Sequence, residues 1–193
     1  MLFPPQAGPV TKSKNLSPAP HAAHLISLRA PSDPFDSCYN PRMKSLSDPA
    51  IQQEIRERLS RVTPDTPRLW GRMNAHQMIC HLADSFRGVL GERPLPMVKT
   101  PIPRAVMKFL ALNMPVQWPH GTPTGPNIDQ FIGGTRPTEF CADVAGLQTL
   151  FERFVSEPGK IEPRHPFFGP MSERDWMRWG YLHTDHHLRQ FGK

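Results

Sequence analysis

The run Ser172–Gly192, SERDWMRWGYLHTDHHLRQFG, constrains this chain more than any other stretch. It holds three of the nine histidines and two of the four tryptophans. Its spacing predicts one helix. Ser172 with Asp175 forms a capping box, which satisfies the first free backbone N–H groups. No proline follows. With His183 set at zero and about 100° per residue, His187 falls at about +40°, Trp176 at about +20°, Gln190 at about −20° and Trp179 at about −40°. His183 and His187 thus stack on the face that carries the indoles. A solvated face would not place Trp there. His186 lies at about −60°, on the flank of the stripe.

Two histidines at i and i+4 on one face can hold a metal ion from adjacent turns. The same spacing also arises in histidines satisfied by hydrogen bonds, in cores and on surfaces. Trp and Gln on the shared face, and a third His elsewhere, favour the metal reading.

The chain has 193 residues, enough for one domain with length to spare. Hydrophobic residues make up 38%, and the 24 prolines are about twice the usual share. That mixture implies a modest core plus much irregular chain. Net charge is +6, scattered, with no run of five or more Lys/Arg. No basic stripe with interleaved aromatics exists, which argues against nucleic acid as a partner. Cys38, Cys80 and Cys141 form no C-x-x-C and no even set, so no disulfide framework is expected. Their pattern favours a reducing, cytoplasmic compartment. No apolar run approaches the length of a membrane span, and the first residues do not read as a secretory signal.

Residues 1–42 contain eight prolines and no sustained period. They are expected to be a disordered extension, or the product of a start site placed upstream of Met43. Residues 43–193 form the organised domain. Its first helix should begin at Asp48-Pro49, an N-cap followed by Pro at N1, with Ile51, Ile55, Leu59 and Val62 at helical spacing. A second should run from Asn74, paired with Gln77, to Leu90. Ala75, Met78, Ile79, Leu82, Phe86 and Val89 form its apolar stripe. His81 falls on the edge of that stripe, where a side chain points into a cleft between helices. His76 lies about 140° away and cannot share its site.

Gly91–Gln130 is rich in Pro and Gly, with a short helix expected over Pro103–Asn113 that turns Val106, Phe109 and Leu110 inward. The remainder is a long loop of the kind that forms lids, with Trp118 and His120 as candidates for a pocket mouth. A third main helix is expected from Asp143 to Glu157, burying Leu147, Leu150, Phe151 and Phe154. No segment alternates with period two, so no sheet is expected. The resulting fold class is all-α: four main helices in an antiparallel bundle, with a long crossover between the second and third.

The segments WGRMNAHQMICHLADSF, GTRPTEF and HPFFGPMSERDWMRWGYLHTDHHLRQFG resemble the DinB-like superfamily of four-helix proteins, in particular a branch known only as a domain of unknown function. The resemblance covers roughly Ser45 to Gly192. It implies a three-histidine metal site with one His from the second helix and an H-x-x-x-H pair from the last. Those positions here are His81, His183 and His187. It further implies metal-dependent chemistry, in some members a transfer or isomerisation using a low-molecular-weight thiol such as bacillithiol, mycothiol or glutathione. Three neutral imidazoles suit Zn²⁺, Ni²⁺ or Fe²⁺ and leave a coordination position open. Gln190 is then placed to orient a bound water or substrate. His186 and Asp185 are candidates for proton transfer, or members of an ordinary solvated flank. Cys80 projects about 100° from His81 and is better read as packing than as a ligand.

Two functions remain open at this level. One is a metal-dependent transferase or hydrolase acting on a small molecule. The other is a non-catalytic binding or stress-related module with a structural or vestigial metal. A homodimer is compatible with either.

Overall fold

The computed structural model describes residues 43–122 and 124–193. The proline-rich segment 1–42, expected to be disordered, lies outside the described residues. The order of elements is α1 (Pro49–Ser60), α2 (Ala75–Val89), α3 (Arg104–Asn113), α4 (Phe140–Ser156) and α5 (Glu173–Gln190), with a 3-10 turn at Pro158–Lys160. A two-residue antiparallel pair, β1 (Arg164–His165) and β2 (Gly169–Pro170), precedes α5. The fold is therefore mostly helical. Among the described residues, the expectation of no sheet fails at this pair alone, which is too short to show an alternating pattern in sequence.

Local chemistry sets the helix starts. Asp48 accepts the Ala50 N–H at 2.8 Å, with Pro49 at the first helical position. Asn74 and Gln77 exchange side-chain and backbone bonds at 2.8 and 2.9 Å. Ser172 and Asp175 repeat the device at the head of α5. α4 begins three residues before the expected Asp143, because Glu139 accepts from the Cys141 and Ala142 N–H groups at 3.1 and 2.7 Å.

α2 is the central element, with Met78, Ile79, Leu82 and Phe86 fully buried. Phe86 packs against Phe151 and Phe154 of α4, with ring centroids 5.9 and 5.1 Å apart. Leu147 and Leu150 complete the buried face of α4, as its periodicity predicts. α5 lies against α1 and α3. A Cβ on Gly180 would stand 2.6 Å from Phe154 and 2.9 Å from Leu46, so α5 approaches the core closely only because that position has no side chain.

α3 departs from expectation. Val106, Phe109 and Leu110 are exposed, and the helix buries only Leu112. A stripe on a short proline-flanked helix fixes that one face is apolar, not that the core covers it. α3 meets α5 and β2 with its other side, and Met107, Leu110 and Ala111 line a cavity. No described helix is long and apolar enough to cross a membrane.

Candidate metal centre

The cavity lies between α2, α3, α5 and the long α2–α4 connection. It encloses about 440 Å³. His81, His183, His186 and His187 all lie on its wall, and so do Trp118 and Trp179.

The structure brings His81, His183 and His187 together. One nitrogen from each ring lies within 4.8 Å of the other two. Ring centroids are 5.4 Å (His81–His183), 4.6 Å (His81–His187) and 4.9 Å (His183–His187) apart. Ligands about 2.0–2.1 Å from a shared ion stand roughly 3.5 Å from one another, so small side-chain rotations complete the set. His183 and His187 meet because four residues of helix separate them. His81 joins them because α2 and α5 each turn a histidine to the same cavity.

Each ring is held differently. His81 Nδ1 pairs with the Ile128 carbonyl at 2.9 Å. His187 Nδ1 pairs with Gln190 Oε1 at 3.0 Å, and the Gln190 amide donates onward to the Trp70 carbonyl at 3.0 Å. In both, the Nδ1–H donates, which leaves Nε2 as the basic nitrogen. His183 has no such partner, and its Nδ1 is a buried atom without a hydrogen bond. Its plane is set instead by stacking on Trp179, 4.8 Å away and tilted by 16°. Burial pushes the proton affinity of all three rings below the ordinary histidine value; for His183 and His187 the neighbouring imidazoles add to it. Neutral rings keep the lone pairs a metal requires. A donor set of three imidazole nitrogens fits a divalent ion.

The remaining candidates separate. Gln190 is buried and fully engaged by His187 and Trp70, away from the cavity wall. Gly71, at φ 83°, makes room for its amide, where a Cβ would collide. His186 lines the cavity, edge-on to Trp70 with centroids 4.8 Å apart. Burial, reinforced by Arg189, pushes its pKa down to about 4. Asp185 is tied to Arg58 and Arg189, at 2.8 Å each, and does not face the cavity. His120 stacks on Trp70 at 3.9 Å.

Cys80 points away from the three histidines, toward Asp143 at 3.7 Å. Burial first, then Asp143, push its thiol up to about 12. The same carboxylate accepts from Thr138 N–H at 3.0 Å and pairs with His76 at 2.7 Å. That cluster pins the start of α4 to α2, on a different face from the cavity.

Two residues that sequence reasoning missed support the centre. Asp84, fully buried one turn after His81, accepts from the Thr135 N–H and hydroxyl, both at 2.7 Å. It also pairs with Arg93 and Arg87. It thereby anchors the turn that presents the Ile128 carbonyl. His165 lies in the cavity wall between Phe168 and Trp179 and accepts from the Phe167 and Phe168 N–H groups at 3.2 and 3.4 Å. Asp84 falls about 120° from Met78 on the α2 wheel, outside the apolar stripe, and nothing local marked either residue.

Helices that converge three imidazoles on an accessible cavity define a class: a mostly helical protein with an interhelical three-histidine centre. Within that class the chain belongs to the family described as a protein of unknown function, DUF1569, which matches residues 52–193. No curated protein and no solved structure matches it.

Proposed function

We propose that this protein is a metal-dependent enzyme of DinB-like type, in which His81, His183 and His187 hold a divalent ion, Zn²⁺, Ni²⁺ or Fe²⁺, for hydrolysis or group transfer on a small molecule. The observation that carries this is the convergence of three imidazoles on an open cavity instead of a sealed core. Such an ion supplies Lewis acidity to whatever small ligand fills its free position.

The chain's own residues do the rest. Ile128 and Gln190 fix the tautomers of His81 and His187. Trp179 fixes the plane of His183. His186, beside them on the wall, is the group that accepts or returns a proton. The apolar walls exclude bulk water. A structural metal would require a fourth protein ligand. Among the described residues neither Cys80, turned to Asp143, nor His186 joins the set of mutually close ligand atoms.

Metal content and thermal melts test the reading. Wild type should carry one ion per chain, and added Zn²⁺ or Ni²⁺ should raise its melting temperature. His81→Ala, His183→Ala and His187→Ala should lose both effects. His186→Ala should keep the metal. Gln190→Leu should bind it about 10–100-fold more weakly, as loss of an outer hydrogen bond to a ligand does. Equal metal stabilisation of wild type and the three ligand variants would place the ion elsewhere and end the proposal.

A further inference from the structure

We infer that the cavity over the three histidines takes a neutral, largely apolar molecule with one small metal-ligating head group. The inference rests on the metal centre proposed above and adds the class of substrate.

Its basis is the charge and hydrogen-bonding state of the cavity wall. No Asp, Glu, Lys or Arg lines the cavity among the described residues, although the chain as a whole carries a net charge of +6. The walls are built from Leu95, Val98, Met107, Leu110, Phe167 and Phe168, with others of the same kind. Most polar groups on the wall are already committed. Ser85 donates to the His81 carbonyl at 2.8 Å, and Asn127 donates to the Pro94 carbonyl at 2.7 Å. The Gln117 oxygen accepts from Arg189 at 3.0 Å, and Thr122 donates to the Pro119 carbonyl at 3.1 Å. His165 Nδ1 is occupied by two backbone N–H groups. The polar capacity left on the wall includes ring nitrogens of His81, His183, His186 and His187 and the Thr124 hydroxyl, all of it uncharged or metal-binding in character.

A ligand with charge along its length would bury that charge without a partner, which is strongly unfavourable. Glutathione, with two carboxylates and an ammonium, is such a ligand. An apolar body gains by leaving water, and a cavity of about 440 Å³ is in the range that holds a small organic molecule. The mouth has the same character. Leu110 and Val116 line the cavity and are also 46% and 58% exposed. An apolar molecule therefore meets matching surface from the entrance inward.

The probes are straight-chain alkyl hydroxamates of increasing length, the matching primary amides, and hydroxamates with a terminal carboxylate. Glutathione serves as the charged thiol. Binding to the zinc-loaded full chain is followed by titration calorimetry, or by the fluorescence of Trp118 and Trp179 in the wall. Each added methylene should tighten hydroxamate binding about three- to fourfold until the cavity is filled. The terminal carboxylate should cancel that gain, and glutathione should bind more weakly than a mid-length hydroxamate. Leu110→Asp, at a half-exposed position, should weaken the longest hydroxamate at least tenfold while the zinc stoichiometry stays at wild type.

Affinity that is flat with chain length while hydroxamate still exceeds amide would overturn the apolar class and leave the metal centre standing. Tighter binding of glutathione, or of the carboxylate series, would overturn it too. Rising affinity with no difference between hydroxamate and amide would instead sink the metal-ligating head and the centre itself.

Discussion

At the scale of single residues, the centre depends on imidazoles kept neutral by burial, and His165 shows what that does to stability. Its Nδ1 accepts two backbone N–H groups, so a proton there would break both bonds. Burial lowers its pKa to about 3, against an ordinary value of 6.5. Between those values the unfolded chain binds a proton that the folded chain refuses. Stability therefore falls as pH drops from about 6.5 toward 3, with no further change from this group below that window. His165→Asn keeps a carbonyl acceptor near the Nδ1 position and removes the titration. Denaturant melts of chelator-treated protein should show an acid limb shallower than wild type by roughly 1 kcal/mol per pH unit between pH 4 and 6. An unchanged limb would mean that His165 takes up its proton in the folded state. The His183–His187 spacing, by contrast, is a residue-scale feature legible in sequence, because a capped helix fixes which side chains stack.

At the scale of elements, Asp84 couples α2 to the turn over residues 127–135. Its carboxylate holds Thr135, and Arg93, paired with it, also reaches the Gly133 carbonyl at 2.7 Å. The Ile128 carbonyl on the same turn orients His81. Asp84→Asn should cost about 3 kcal/mol, the usual scale for removing one partner of a buried ion pair. It should also weaken metal binding about 10–100-fold, although Asp84 does not belong to the ligand set. Arg87→Ala, which removes a side chain 35% exposed, should change stability by under about 1 kcal/mol. Denaturant melts and metal titration on both variants check this; an Asp84→Asn protein as stable and metal-tight as wild type would break the coupling. Asp84 was illegible in sequence because its partners lie up to 51 positions away, and no local pattern selects them. α3 misled for a related reason. Periodicity reports that a helix has an apolar face but not which neighbour that face meets. Here Leu110 of that face lines the cavity, while Val106 and Phe109 are exposed.

At the scale of the whole molecule, the buried apolar cluster among the described residues runs from Leu46 to Phe191. The ligands and the cavity lie within the same span. A chain starting at Met43 should therefore melt within a few degrees of the full chain, a change of under about 1 kcal/mol, and bind the same amount of metal. A large fall in melting temperature would assign residues 1–42 a part in the fold.

The sequence by itself determined whatever is settled within a few turns of chain. Capping boxes set the starts of α2 and α5, period 3.6 set the buried faces of α2 and α4, and four-residue spacing set the pairing of His183 with His187. These are short-range consequences of helix geometry. The family resemblance named His81, but only the tertiary structure brings it within 4.8 Å of the pair, sets Gln190 on His187, and leaves the cavity wall without a charged residue among the described ones. Those depend on how helices distant in sequence pack, and on the long connection between α2 and α4. Burial of the whole core selects that packing, and no segment of the chain encodes it separately.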